Sequence, residues 1–236
     1  MSCIRESTFA EPRIDHHFAY SSILAEAVQD PSKLLVDAGC CMGTDIRKLV
    51  LDGLPPENIL GLDLESRYFD VGRTLYNEDL ATTKLRFQQA DLVDPSFPSK
   101  HAHLHNKFHL VHSANVIHLF GVAEQEIFFR NLIHLVAPGG MIWGRQVGLA
   151  DDLGVGHHQL EGKGARFTID EFRKLVLRAG GWGETEARYE AQFVKYREIR
   201  AAHQYKAWVL QWSVQVPVEK ERGRERGLLR VVEEED

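Results

Sequence analysis

The stretch "LLVDAGCCMGTD" (residues 34–45) decides how the rest of the chain is interpreted. A short apolar run leads into Asp37, a glycine-containing turn follows, and Thr44 opens a segment with helical spacing. A buried strand that runs through such a turn into a helix is typical of the ligand-binding turn of doubly wound α/β sheets. The adjacent cysteines, Cys40 and Cys41, raise three alternatives: a cofactor loop, a redox or metal site, or a purely structural turn.

The glycine spacing excludes two common phosphate-binding loops. A G-x-G-x-x-G loop needs glycines at 39, 41 and 44, whereas the chain has Gly39, Cys41 and Thr44. No G-x-x-x-x-G-K-[ST] string occurs anywhere in the chain. The remaining pattern is D-x-G-x-x-x-G, formed by Asp37, Gly39 and Gly43.

Acidic residues follow the next two apolar runs. Asp63 in "NILGLDL" (58–64) lies about 20 residues beyond Gly43, where a carboxylate accepts hydrogen bonds from both ribose hydroxyls. Asp91 ends "KLRFQQAD" (84–91), on the same predicted rim, and is placed to receive an adenine amino group. An Asp at a strand end is equally a helix cap. Together the three signals describe an adenosine without a pyrophosphate.

Strand and helix patterns alternate along the first 148 residues. The predicted strands lie at 33–39, 58–64, 84–91, 107–114 and 140–148, and helical segments at 44–53, 65–80 and 123–140 separate them. Thr44 is the predicted N-cap of the first of these helices, and Pro138-Gly139-Gly140 the stop of the last. This alternation predicts a mostly parallel sheet with helices on both faces.

The pattern changes after Gly148. A glycine- and histidine-rich loop (149–167) precedes a helix whose Thr168–Glu171 spacing makes a capping box. Two strand-like runs, 184–194 and 204–217, then follow one another without a helix between them. Successive strands of this kind pair as an antiparallel hairpin, which we expect at the sheet edge.

Composition and charge bound the functional classes. The chain has 236 residues, 44% of them hydrophobic, and a net charge of −6. Its size and composition predict one domain over 1–217, in which 1–30 forms an N-terminal lid or helix. We expect 218–236 to be a charged, flexible tail. Nucleic acid is not an expected partner, because no basic stripe occurs. No apolar run reaches the roughly 20 residues that span a membrane. We expect a cytoplasmic protein with a small-molecule substrate.

The quoted residues carry a resemblance to a known family. The stretch "LLVDAGCCMGTDIRKLVLDGLPPENILGLDL" (34–64), with "IHLF" (117–120) and "GGMIWGRQVG" (139–148), resembles class I S-adenosylmethionine-dependent methyltransferases. Within that family it is similar to the fungal O-methyltransferases of meroterpenoid and other secondary-metabolite pathways. The resemblance covers about residues 12–195, and a cysteine pair in the first loop is usual in that group.

The resemblance implies an α/β fold, a Rossmann-like seven-stranded sheet that is mostly parallel with a C-terminal antiparallel hairpin. It implies S-adenosyl-L-methionine as cofactor and a terpenoid- or polyketide-type substrate. The methylated atom would be an oxygen, typically of a carboxylate, and the protein would be a homodimer. The cofactor-binding residues predicted on this basis are Asp37, Gly39, Cys40, Gly43, Asp63, Leu64, Asp91, Leu92, Ser113 and Asn115. Ser113 and Asn115 would border the methionine end of the cofactor, or form an ordinary turn.

The acceptor decides whether the reaction needs a base. A carboxyl group, with a pKa of about 4, is already ionised at neutral pH, whereas a phenol, with a pKa of about 10, gains from a general base. His118, just past the fourth strand, is the candidate base; the alternative is that it packs in the core or orients substrate. Arg145 and Gln146 are predicted to bind substrate, although Arg145 also fits a surface ion pair. Tyr20 is a predicted lid residue that contacts substrate, or part of a packing helix.

Three other interpretations compete with methyl transfer. The histidines between His101 and His118 suggest a metal, but no cysteine or carboxylate completes a ligand set, so no metal site is predicted. The cysteine pair lacks C-x-x-C spacing, which disfavours a redox function. A protein of this fold can also bind S-adenosylmethionine without transferring methyl, as a cyclase or partner subunit, because fold does not fix function.

Overall fold

The computed structural model describes residues 10–79, 82–149, 164–195 and 208–218. Over these residues the strands are β1 (Leu35–Ala38), β2 (Ile59–Asp63), β3 (Arg86–Gln89), β4 (Phe108–Ala114), β5 (Val136–Gly148), β6 (Arg188–Lys195) and β7 (Trp208–Gln215). The α-helices are α1 (Tyr20–Gln29), α2 (Thr44–Leu51), α3 (Arg67–Leu75), α4 (Phe97–Lys100), α5 (Val122–Leu135) and α6 (Ile169–Gly180). None of the described helices combines the length and apolar character needed to cross a bilayer.

The seven described strands form one sheet in the order β3-β2-β1-β4-β5-β7-β6. β1 to β5 pair in parallel, whereas β7 runs antiparallel to both β5 and β6. The chain therefore reverses strand order between β1 and β4, and ligands bind beyond the carboxyl ends of the strands at such a switch point. The predicted mostly parallel sheet with an antiparallel edge hairpin is confirmed.

Apolar side chains pack on both faces of the sheet. One cluster joins the sheet to α5 and α6 through residues such as Phe129 and Phe172. The other joins it to α1 and α2, where Ile23 and Leu49 meet Trp143 of β5. Since neighbouring residues of a strand point to opposite faces, this double burial explains why the parallel strands have almost continuous apolar runs.

The N-terminal segment 10–29 covers one of these faces. The Asp45 carboxylate, in the first turn of α2, accepts the backbone N–H groups of Arg13 at 2.8 Å and Ile14 at 3.2 Å. At the other end of the sheet, Gln211 Nε2 donates to the His16 carbonyl at 2.8 Å and His17 Nε2 lies 3.2 Å from the Trp212 carbonyl oxygen. The segment is thus fixed to both α2 and β7.

Two boundary predictions were wrong. Helix α5 ends at Leu135, and Pro138, Gly139 and Gly140 belong to β5 instead, because Val136 already pairs with Phe108 of β4. Strand pairing outweighs the helical pattern there. Gly43, in the left-handed region with a φ of 74°, is the N-cap of α2, and Thr44 is its first helical residue.

Candidate functional site

The turn between β1 and α2 brings bare backbone to the rim of the sheet. Gly39 and Gly43 have φ values of 84° and 74°, a region that L side chains rarely adopt. A side chain at Gly39 would also overlap Val116, whose Cβ and Cγ1 would lie 3.2 Å from the added carbon. The N–H groups of Gly39 and Cys40 donate to the Leu62 carbonyl at 2.8 and 3.0 Å, which fixes the turn against β2. The glycines therefore allow the backbone of the turn to pass close to Val116 and β2, where a side chain would not fit.

The end of β2 supplies a carboxylate beside this turn. Asp63 accepts the Cys41 N–H on Oδ2 at 2.7 Å and the Glu65 N–H on Oδ1 at 3.0 Å. Burial raises the pKa of Asp63, and these backbone N–H groups offset part of the rise. A carboxylate has about four lone-pair sites, so Asp63 keeps acceptor capacity for the two hydroxyls of a ribose. Leu64 is 60% exposed next to it and offers an apolar surface.

The end of β3 contributes less than the sequence predicts. Asp91 lies two residues beyond the strand, is exposed, and accepts the Val93 N–H at 3.0 Å in a local turn. Leu92 is buried in the core, and its carbonyl accepts from Asn131 Nδ2 at 3.0 Å. Asp91 is thus available at the rim, while the Leu92 side chain faces inward.

Asp37 forms a buried pair with His112 of β4. His112 Nδ1 lies 2.8 Å from Asp37 Oδ1, and the two residues are 1% and 3% exposed. Burial raises the pKa of Asp37 and His112 opposes the rise. Cys40, also buried, has a thiol pKa raised by burial, so the thiol is held neutral and unreactive. Asp37 and Cys40 therefore support the turn from beneath.

The strand β4 ends in a hydrogen-bonded corner. Ser113 Oγ donates to the Ala38 carbonyl at 2.9 Å and is 1% exposed, so this hydroxyl joins β4 to β1. Asn115 adopts a left-handed φ of 58° and its N–H donates to the Arg145 carbonyl at 2.7 Å. Asn115 is half-buried at the rim, where the sequence places it.

Unbonded polar groups lie past the end of β4 and near the carboxyl end of β5. Gln146 is 0% exposed, and neither its Oε1 nor its Nε2 has a hydrogen-bond partner among the described residues. His118 lies in the short 3-10 helix Ile117–Leu119, which packs against β5, and its buried Nδ1 is also unpartnered. Burial, and then the charge of Arg166, lower the pKa of His118 to about 4. A buried amide without a partner costs about 1–3 kcal/mol, which a bound ligand can recover.

The other predicted substrate residues lie elsewhere. Arg145 is 7% exposed and lies near His17. Because it is next to Gln146 in β5, its side chain lies on the sheet face opposite to that of Gln146. The Tyr20 hydroxyl donates to Asp52, just past the end of α2. Because α2 starts at the cofactor turn and its eight residues span about 12 Å, Tyr20 is not brought together with the other site residues.

Sequence reasoning weighed His112 as a metal ligand and His17 as part of the N-terminal lid without finding the contacts of either, and it missed Arg166. His112 alternates with apolar residues on β4, a pattern that marks a buried position but does not reveal its partner on β1. His17 and Arg166 follow no motif at all. The described residues contain no group of three or more histidine, cysteine or acidic side chains arranged to hold a metal ion. The predicted pocket loop between 150 and 163 and the tail from 219 onward lie outside the described residues.

Comparisons with known proteins agree with this geometry. A model of the family described as "Methyltransferase domain" matches residues 35–140. The O-methyltransferase phiE of Fungal sp. (strain ATCC 74256) is 30% identical over 189 residues, which cover 78% of this chain and 59% of that protein. The methyltransferase ausD of Aspergillus calidoustus is 28% identical over 143 residues, or 60% of this chain and 50% of that protein. The chain thus spans about half to three-fifths of the lengths of these curated relatives.

Solved structures extend the agreement in fold. The S-adenosylmethionine-dependent methyltransferase from Mesorhizobium loti is 17% identical with a TM-score of 0.57 and covers 86% of this chain and 100% of that one. The glycine turn and the Asp63 carboxylate fit an adenosine that carries no pyrophosphate. The family match, the fungal relatives and the solved structures together support a class I S-adenosylmethionine-dependent methyltransferase.

Proposed function

We propose that this protein methylates an oxygen atom of a small molecule, a carboxylate or a hydroxyl group, in a fungal secondary-metabolite pathway. The observation that carries the proposal is the Gln146 amide, fully buried near the carboxyl end of β5 with neither polar atom bonded among the described residues. Such a group is costly in the free protein and gains partners when a polar acceptor binds. The printed name of phiE, an O-methyltransferase, supports the choice of oxygen.

The residues at the rim would divide the work between cofactor and acceptor. When bound, S-adenosylmethionine supplies a methyl group on a positively charged sulfur. Asp63 would accept the ribose hydroxyls, and the turn from Gly39 to Gly43 would let the cofactor approach the backbone. Gln146 and His118 would orient the acceptor. Alignment of the two reactants is worth about 7–11 kcal/mol, so positioning can account for most of the rate.

A carboxylate acceptor fits His118 better than a phenol does. A pKa of about 4 makes the imidazole neutral at pH 7 and also a weak base. Deprotonating a phenol with a pKa of about 10 would call for a stronger base, whereas a carboxylate is already ionised. We therefore assign His118 a hydrogen-bonding role, and methyl transfer to an acid would need no proton transfer.

The test is methyl transfer from labelled S-adenosylmethionine to a panel of aromatic and terpenoid acids and phenols. We expect labelled methyl ester from at least one acid. The variant Gln146→Leu should lower transfer at least tenfold without lowering the free energy of unfolding, because it removes an unbonded amide of similar size. Gln215→Leu is the control and should leave transfer unchanged, because Gln215 lies at the far end of β7, paired with Met141 of β5, and donates to the Gly139 carbonyl.

Two outcomes contradict the proposal. If S-adenosylhomocysteine binds but no acceptor is labelled, the protein binds the cofactor without transferring methyl. The fold also supports that function. The [4+2]-cyclase SpnF has a similar fold, with a TM-score of 0.60 at 14% identity over 84% of this chain and 81% of that one. If calorimetry detects no binding of S-adenosylhomocysteine, the cofactor assignment to this chain fails as well.

A further inference from the structure

Arg166 is a half-buried cation that has no carboxylate partner among the described residues. No described acidic side chain lies within ion-pair distance of it, and its Nε is buried without a hydrogen-bond acceptor. Burial alone lowers its pKa, with no neighbouring acid to oppose the shift. Withdrawing a cation from water without a counter-charge costs stability. An unpaired guanidinium in this position therefore needs an explanation.

The segment around Arg166 is held firmly between the ends of β4 and β5. The Ala165 N–H donates to the Phe120 carbonyl at 2.8 Å, and the Leu149 N–H donates to the Phe167 carbonyl at 2.9 Å. Gln125 Nε2 donates to the Ala165 carbonyl at 2.7 Å. Ala165 and Phe167 are buried in the core at 3% and 6% exposure, so the residue between them faces away from that core. The backbone thus fixes where the guanidinium can reach.

Arg166 belongs with the unbonded groups of the rim. Gly164 packs so closely against the His118 carbonyl that no side chain fits there, and the Arg166 charge reaches the His118 ring. The Phe167 carbonyl lies beside Gly148, two residues along the same sheet face from Gln146. The cation thus lies near the imidazole, and the amide lies on the same face of the sheet, near the carboxyl end of β5.

We infer that Arg166 is the residue that binds the carboxylate of the acceptor, with the Gln146 amide as a second donor. A guanidinium presents N–H donors in a fixed plane that matches two carboxylate oxygens. This inference rests on the proposed function. Of the two acceptor groups proposed there, it selects the carboxylate and excludes the hydroxyl. It also moves the anion-binding role from Arg145, the sequence-based candidate, to the other face of the sheet.

The chemistry balances without another reactant. One acceptor carboxylate oxygen forms a bond to the methyl carbon while the carbon–sulfur bond breaks, and the bonding electron pair stays on sulfur. The products are a methyl ester and S-adenosylhomocysteine, and no proton moves. Arg166 would orient the carboxylate through one lone pair of each oxygen, and a second lone pair of the reacting oxygen stays free to attack. Because the ester is uncharged, it loses the attraction of the guanidinium and is released.

The test uses benzoate as the acid probe and benzamide as its neutral counterpart. Each is titrated into the protein saturated with S-adenosylhomocysteine, and the NMR signals of the His118 ring, assigned from His118→Asn, report binding nearby. We expect saturable shifts with benzoate and none with benzamide. Arg166→Gln should weaken benzoate binding at least tenfold, and Arg166→Lys should restore part of it. Arg173→Gln, which removes a surface arginine paired with Glu184, should have no effect.

The outcomes separate this inference from the proposed function. Benzoate binding that persists in Arg166→Gln, or absent shifts in the natural protein, overturns the anion site. Binding that depends on Arg166 while no acceptor is methylated keeps the anion site and overturns the transferase proposal. Arg166→Gln should also unfold at an equal or higher urea concentration, since a merely structural arginine would lower the midpoint when removed.

Discussion

The substitution Gly39→Ala tests the cofactor turn most directly. The added methyl would occupy a left-handed backbone position at a φ of 84°, which costs about 1–2 kcal/mol. It would also lie 3.2 Å from Val116 Cβ and Cγ1, and closer still to Cγ2. Carbon atoms prefer about 3.5–4.0 Å, so the turn or the loop after β4 must move by about 1 Å. Both border the cofactor, and we expect its affinity to suffer.

The structure offers a matched control at Gly181. This residue has a similar φ of 63°, but nothing lies within 4 Å of an added methyl. Gly181→Ala therefore carries the backbone strain of about 1–2 kcal/mol without the overlap, and it lies at the end of α6, away from the site. Comparing the two variants separates backbone strain from crowding against Val116.

Calorimetric titration with S-adenosylhomocysteine and urea unfolding are the assays. We expect Gly39→Ala to raise the Kd at least tenfold, or about 1.4 kcal/mol, and Gly181→Ala to lower stability with an unchanged Kd. Adding Val116→Ala to Gly39→Ala should recover part of the affinity, with a coupling of about 0.5–3 kcal/mol. A Kd for Gly39→Ala within twofold of the natural protein would refute the reasoning.

Three further predictions concern single side chains. Asp63→Asn should raise the Kd for S-adenosylhomocysteine about tenfold by calorimetry, because a neutral amide loses the charge-assisted bonds to ribose; an unchanged Kd would remove Asp63 from the site. Burial lowers the pKa of His17 to about 4 in the folded protein. Below pH 6.5 the unfolded chain therefore binds more protons than the folded one, and the free energy of unfolding falls by about 3 kcal/mol from pH 6.5 to 4. In urea unfolding at pH 7 and 4.5, His17→Phe should reduce this pH dependence of stability. Some dependence should remain, because His118 titrates in the same pH range. A pH dependence equal to that of the natural protein would contradict the prediction. Tyr20→Phe should lower the free energy of unfolding by about 1 kcal/mol, because the hydrogen bond to Asp52 is lost, and should leave cofactor binding unchanged. Weaker cofactor binding would show that Tyr20 belongs to the site.

Local sequence signals predicted the sheet and the cofactor turn. Gly39 and Gly43 stand where positive φ is required, and strand runs with intervening helices predicted the mostly parallel sheet, although not its strand order. The N-cap at Thr44 was wrong because Gly43 already supplies the turn geometry. The stop at Pro138 was wrong because pairing with β4 begins at Val136, which depends on a strand elsewhere in the chain.

The acceptor side was harder to predict because it depends on contacts between distant residues. Arg145 and Gln146 are adjacent in sequence, yet the strand places them on opposite faces, and only Gln146 is left without partners among the described residues. The neighbours of Arg166 hold it at the rim, because the Ala165 N–H donates to the Phe120 carbonyl and the Leu149 N–H donates to the Phe167 carbonyl, and no local sequence pattern predicts these bonds. The pairing of Asp37 with His112 likewise follows from strand register alone.

The anchoring of the N-terminal segment also bears on the order of folding during synthesis. Residues 16 and 17 leave the ribosome early, but their partners Gln211 and Trp212 are 195 positions further along the chain. The cover over Trp143 and His112 therefore cannot be completed until β7 has been made and inserted beside β5. Until then, one face of the nascent sheet stays open to water and to other chains, which makes the last strand the step that protects the growing protein from aggregation.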